Sequence, residues 1–301
     1  MRTLLVVLLV AVLAGAGAFW FLTAPAATAI AVPDDHAPDP ERGEYIFFAT
    51  GCAGCHAEPD QDDPLRLSGG LELDTPFGVF RAPNISSHPE DGIGNWSTED
   101  FVNAMVRGVS PEGRHYYPAF PYTTYQRMER ADVLDLKAFL DTVPAISGGP
   151  EEHDLAFPFN VRRGIGLWKM LYLDDASFAP DPELDETEAR GAYLVETMAH
   201  CGECHTPRDA LGGPDQSRRF AGGPNPAGDG GIPNITPHED GIGAWSRSDV
   251  AYALETGFDP DFDSFGGSMA RVVRNMARLT EEDREAIAAY LETVEPLPDA
   301  D

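Results

Sequence analysis

The chain has 301 residues, 43% apolar and 24% charged, a composition that suits globular domains and excludes a disordered chain. Asp and Glu number 50 against 21 Lys and Arg, a formal charge of −29, which speaks against nucleic acid as a partner and against docking on anionic lipid. An acidic surface suits a basic partner or a salty environment.

The first predicted element is a membrane segment. Leu4 to Leu22 holds no charged residue, and a helix of that length extends about 28 Å, close to the hydrocarbon thickness of a bilayer. Arg2 precedes the run and the flank after it is neutral as far as Asp34, so the positive-inside rule exports the rest of the chain. A signal peptidase could cut near Thr28-Ala29-Ile30-Ala31. The run is longer than ordinary cleavable apolar regions, and Phe19-Trp20-Phe21 has the make-up of an interfacial anchor. Both favour an uncleaved anchor within residues 1–30.

All four cysteines lie in two pentapeptides, Cys52-Ala53-Gly54-Cys55-His56 and Cys201-Gly202-Glu203-Cys204-His205. C-x-x-C-H is the covalent attachment pattern of c-type haem. Two thiols three residues apart project from one helical turn and reach two vinyl groups on one edge of a porphyrin. The following imidazole then lies under the iron as its proximal ligand. Disulfides would leave both histidines unexplained, and adjacent Cys and His suit tetrahedral zinc poorly. The expectation is two covalent haem c groups, attached at Cys52, Cys55, Cys201 and Cys204, with His56 and His205 on the irons.

The surroundings of the motifs repeat with them. Arg42-Gly43-Glu44-Tyr45 matches Arg190-Gly191-Ala192-Tyr193, and Arg66-Leu67-Ser68-Gly69-Gly70 matches Arg219-Phe220-Ala221-Gly222-Gly223. Pro83-Asn84-Ile85-Ser86 matches Pro233-Asn234-Ile235-Thr236, and Asp91 to Ser97 matches Asp240 to Ser246. This is a duplicated domain, expected over residues 38–147 and 182–298. Ser97 with Asp100, and Ser246 with Asp249, read as capping boxes of matching helices. The last helix of each copy carries Leu136, Phe139, Leu140 and Val143, or Ile287, Tyr290, Leu291 and Val294, at i, i+3, i+4, i+7. Thr280 with Asp283 caps the second of these. Asn84 and Asn234 match a glycosylation pattern, but their repetition favours a turn role. Residues 148–181, which include Phe157-Pro158-Phe159 and Leu167-Trp168-Lys169-Met170-Leu171, are too apolar for a solvated tether. They are expected to pack across both domains and set the distance between the haems; the alternative is a strap bound to one domain.

An early C-x-x-C-H, a middle helix and a final amphipathic helix, twice over, resemble class I cytochrome c. Pro-Asn-Ile-Ser/Thr, Gly-Ile-Gly-x-Trp-Ser and Tyr117-Pro118-Ala119-Phe120-Pro121-Tyr122 resemble more narrowly the cytochrome subunits of periplasmic alcohol- and gluconate-type dehydrogenases. The resemblance runs from Asp39 to Pro298. It implies an all-α fold of two tandem cytochrome c-like domains, which here follow the transmembrane helix read from the N-terminal run. It implies electron transfer from a dehydrogenase or cytochrome donor to a respiratory-chain acceptor on the periplasmic face of the inner membrane. One departure stands out: those subunits commonly have methionine where this chain has Phe120, which cannot ligate iron.

The sixth ligands are therefore weighed separately. Met269, in a loop before the last helix, is the candidate for the second haem, ahead of Met276. Met128, directly before the last helix of the first copy, is the candidate for the first haem; His115 and an open iron are the alternatives. Met105 belongs to the core. Trp96 and Trp245 could bond haem propionates through the indole N–H, and Arg66 and Arg219 through their guanidinium groups; packing and ordinary surface roles are the alternatives. The rival function is a dihaem enzyme such as a peroxidase, which needs one open iron; only Phe120 points that way.

Overall fold

A computed structural model describes residues 1–25, 36–174 and 176–300. The possible cleavage site near Thr28 lies outside them. Helix α1 (Arg2–Leu22) buries none of its residues in the protein and is long and apolar enough to cross a membrane. The first half then runs α2 (Pro40–Ala49), α3 (Cys52–His56), strands β1 (Glu72–Thr75) and β2 (Gly78–Arg81), α4 (Thr98–Arg107), α5 (Tyr122–Tyr125) and α6 (Arg130–Leu140). The connection holds β3 (Asp154–Leu155) and α7 (Ile165–Tyr172). The second half repeats the order with α8 (Glu186–Tyr193), α9 (Gly202–His205), β4 (Gly223–Pro224), β5 (Gly231–Ile232), α10 (Arg247–Thr256), α11 (Gly267–Met276) and α12 (Glu281–Thr293).

The fold is mainly helical, and the all-α expectation omits two small antiparallel sheets, β1-β2-β3 and β4-β5. The first forms because Gly78, at φ +122, leaves room for the connecting segment; a Cβ there would sit 2.3 Å from the Asp154 carbonyl oxygen. Such short strands carry too little alternation to read from sequence.

Each half is built around one helix crossing, α2 on α6 and α8 on α12. Glycine makes both possible. A Cβ on Gly43 would lie 2.0 Å from the Asp135 carbonyl oxygen, and one on Gly191 would lie 1.8 Å from that of Ala286. The capping boxes at Ser97 and Ser246 form as read, and the Thr280 side chain accepts from the Asp283 amide. Ile46, Phe47, Val102, Leu136 and Leu140 fill the first core, and Leu194, Met198, Ile287 and Leu291 the second. Val143 is buried, but beyond the end of α6 rather than on it.

The approach to the second motif is wound differently from the approach to the first. Helix α8 runs straight into a π-helical stretch, Leu194–Met198. Cys52 lies ten positions after Arg42, whereas Cys201 lies eleven after Arg190. The wider turn takes up the extra residue.

Candidate functional site

The two C-x-x-C-H turns are built alike. Each follows a residue with positive φ, Gly51 at +67 and His200 at +44, which swings the chain out of the preceding helix. His56 Nδ1 lies 2.8 Å from the Pro83 carbonyl oxygen, and His205 Nδ1 lies 2.8 Å from that of Pro233. A carbonyl only accepts, so Nδ1 donates and Nε2 is left bare. Burial lowers both imidazole pKa values against the opposing pull of the carbonyl, which keeps the rings neutral and ready to ligate.

The prolines are held by the asparagines that follow them. Asn84 Oδ1 accepts from the Ser86 amide at 2.8 Å, and Asn234 Oδ1 from Thr236 at 2.7 Å. The Asn84 amide donates to Ile146 and Gly148 carbonyls, and that of Asn234 to Leu297. Both asparagines are buried turn residues. Sequence reasoning missed the role of Pro83 and Pro233 as partners of the proximal histidines. The available signal was the near-equal spacing, 27 and 28 residues after the histidine.

The cysteines are free, and the surrounding protein desolvates them, pushing Cys52 up to about 11 and Cys201 up to about 12. Each turn thus presents two unpaired thiols and an imidazole with a bare nitrogen. That donor set fits a covalently attached haem with a proximal histidine. The Cytochrome c family description matches residues 40–144 and 188–295, one motif in each stretch.

The chain belongs to the cytochrome c family. It is 51% identical over 295 residues to the diheme cytochrome c-type protein of Cereibacter sphaeroides, covering 97% of this chain and 98% of that one. It is 35% identical over 262 residues to the fructose dehydrogenase cytochrome subunit of Gluconobacter japonicus, covering 86% of this chain and 53% of the relative. It is 33% identical over 286 residues to the cytochrome c subunit of the quinone alcohol dehydrogenase of Gluconacetobacter polyoxogenes, covering 91% and 60%. Of those two dehydrogenase subunits the chain therefore spans a little over half. This dihaem cytochrome c carries two covalently bound haem c groups, and its work is electron transfer.

Within this cytochrome c the two motifs face each other. A Cβ on Gly54 would lie 3.3 Å from Asn275 Nδ2 and 3.9 Å from Arg271 Cβ, so α3 packs on α11 of the other half. In return, Glu203 accepts hydrogen bonds at 2.8 and 3.1 Å from the hydroxyls of Thr123 and Thr124, around α5. Burial would raise the Glu203 pKa, but Arg208, donating at 2.6 Å, and Thr123 hold it below the ordinary carboxylate range. The His200 ring stands over Gly51, with its Nε2 3.4 Å from where a Cβ would be, and edge-on to Tyr125.

The repeated Arg-Gly-x-Tyr segments clasp the halves reciprocally. Arg42 pairs with Asp132 of its own half, while the Tyr193 hydroxyl donates to Asp132 at 2.5 Å from across the interface. Arg190 pairs with Asp283 at 2.6 Å, and Tyr45 reaches over to the same carboxylate. That contact and burial push the Tyr45 pKa up to about 12. Helix α7 is bonded to both halves. Trp168 donates to the Leu211 carbonyl and Tyr172 to Asp209 on one side, and Lys169 donates to the Arg107 and Gly108 carbonyls on the other.

The remaining candidates are placed unevenly. Met269 is half-buried in the first turn of α11, a helix where a loop was expected, and Met276 is buried at its other end. Met128 is buried in the packed core. Counting back four residues from Asp132 and from Asp283 gives Met128 and Leu279, so the thioether occupies the repeat position of a core leucine. Phe120 packs among Tyr116, Tyr122 and Tyr125. His115 turns away from the motif, its Nε2 2.9 Å from the Thr23 carbonyl oxygen at the end of α1. Arg66 pairs with Glu58 at 2.9 Å, and Arg219 with Glu196. Trp96 and Trp245 are half-buried against the core.

Proposed function

We propose that this dihaem cytochrome c is a membrane-tethered electron-transfer subunit on the periplasmic face of the inner membrane, passing electrons from a dehydrogenase or donor protein to a respiratory-chain acceptor. The dehydrogenase side is supported by the relatives named as fructose and alcohol dehydrogenase subunits. The tether is α1, which is free of charge from Leu4 to Leu22. High salt should leave the protein on membranes and detergent should release it; a soluble protein beginning near Val32 would show cleavage instead.

In this reading Cys52 and Cys55 carry the first haem and Cys201 and Cys204 the second, with His56 and His205 as proximal ligands. The bound haems supply one-electron redox chemistry. The chain holds the imidazoles in the ligating tautomer through Pro83 and Pro233. Met269 would hold the iron of the second haem and Met128 that of the first, and thioether donors there would raise the potentials. Trp96 and Trp245 serve the propionates, and Arg66 and Arg219 share their guanidinium groups between propionate and the paired glutamates.

The observation that carries the relay is the facing of the two motifs across one interface, α3 on α11 and Glu203 on Thr123 and Thr124. The test is pulse reduction of the full-length protein with less than one electron per molecule. Redistribution between the haems at a rate independent of protein concentration is expected; redistribution only through collisions would overturn the relay.

The repeat position shared by Met128 and Leu279 favours a second reading of the first haem, with no methionine ligand. Met128→Leu keeps the packing and removes the sulfur. Loss of low-spin methionine ligation from one haem supports Met128; an unchanged spectrum and potential supports the second reading. Met269→Leu is the matching experiment in the other half.

A further inference from the structure

Helix α7 buries its cation and exposes an apolar stripe. Its one cation, Lys169, is buried, donating to two backbone carbonyls with its ammonium 4.6 Å from the Tyr122 ring centre. Trp168 is buried beside it, whereas Leu167, Met170 and Leu171, at i, i+3, i+4, face outward and are 44%, 62% and 67% exposed. The place where α7 begins explains the arrangement. Thr23, the residue after α1, is wholly buried against it; a Cβ on Gly166 would lie 2.7 Å from the Thr23 Cα. Arg163 donates to the Thr23 hydroxyl at 3.0 Å, and its guanidinium lies 4.3 Å from the Trp20 ring centre. The end of α1 is thus socketed in the connecting segment, and α7 starts in van der Waals contact with the point where the chain leaves α1.

We propose that α7 lies in the headgroup region of the bilayer, with Leu167, Met170 and Leu171 in lipid, so that the connection between the halves rests on the membrane. This stands on the reading of α1 as a spanning helix. With α1 in lipid as far as the Trp20 belt, α7 has little room to be elsewhere than at the interface. The local charge agrees. From Leu155 to Leu173 there is no Asp or Glu, and the half-buried Arg162 and Arg163 stand just before α7, in a chain of net charge −29. The whole-chain balance that speaks against anionic lipid does not describe this face.

The test uses the full-length holoprotein in phospholipid vesicles. Its own cysteines are consumed by haem attachment, so Leu13→Cys, Met170→Cys and Phe262→Cys each offer one reactive thiol; Phe262 is an exposed residue of the second half. Unchanged haem spectra show that the variants are folded. With a membrane-impermeant maleimide, residue 170 should react about tenfold or more slowly than residue 262, at every protein-to-lipid ratio. If residue 13 is protected and residue 170 reacts like 262, the proposal fails while the anchor stands. Protection of 170 that disappears on dilution in lipid assigns the face to a second copy and overturns it. Reaction at residue 13 removes the anchor reading, and the proposal falls with it.

Discussion

Where the first half has Gly54 between its paired cysteines, the second half has Glu203, and the two face opposite partners across the same interface. Gly54 lets α11 approach through Arg271 and Asn275. Glu203 fills its space with a carboxylate bonded to Thr123, Thr124 and Arg208. The same contrast recurs one residue before each motif, where Gly51 adopts positive φ at no steric cost and His200 adopts it with a side chain that packs on Gly51. The repeated domains meet through small-against-large pairs at matched positions, glycine on one side and a bulky side chain on the other. A pseudo-symmetric clasp survives around this asymmetry, in the exchange of Tyr45 and Tyr193 between Asp283 and Asp132.

The most damaging break of the comparison is at the helix crossings. Gly43→Ala and Gly191→Ala should each cost about 3 kcal/mol, because the added methyl meets backbone rather than a side chain that can move. Denaturant unfolding followed at the haem bands of each half should show the loss first in the half that carries the substitution. If both halves soften equally, the crossings are not independent.

The clasp comes next. Asp132 is fully buried, whereas Asp283 keeps some solvent contact, with side-chain exposures of 0% and 13%. Asp132→Ala should cost about 2 kcal/mol and Asp283→Ala about 1 kcal/mol, since hydrogen bonds to a charged group matter more when desolvated. Unfolding midpoints of both variants check the order.

Acid should act on the same interface. Glu203 and Asp283 are both held below the ordinary carboxylate range; burial opposes this, but Arg208 and Thr123, or Arg190 and Tyr45, outweigh it. Their folded pKa values are depressed, so the stability they contribute is full above the unfolded carboxylate value near 4 and is lost as pH falls through the folded values. Small-angle scattering should report the halves separating in that window. Glu203→Gln should weaken the pH dependence; an unchanged profile would remove Glu203 from the account. The smallest effects should be the symmetric ones: Ser97→Ala and Ser246→Ala each remove one cap, about 1 kcal/mol, and a clear inequality in melting shifts would show that the halves differ more deeply.

Much of this was legible in the residues themselves. C-x-x-C-H places its thiols and imidazole on one turn whatever surrounds it. Ser97 and Ser246 mark helix starts because capping is local, and internal repetition reveals a duplicated domain without any knowledge of contacts. What depends on residues far apart in sequence was not legible. The Pro83 and Pro233 carbonyls reach their histidines only after a loop closes, and Arg66 and Arg219 find glutamates rather than open solvent. Met269 lies on a helix, α11, that packs on α10 of its own half and on α3 of the other, contacts no local pattern announces. His115 illustrates the limit well. It is an alternative to Met128 as an iron ligand in the sequence, and tertiary structure brings its ring to the Thr23 carbonyl, 92 residues away. Composition, spacing and period determined the two haem turns and the helices that carry them; only packing decided how the halves meet, since a contact between distant segments leaves no pattern in either segment alone.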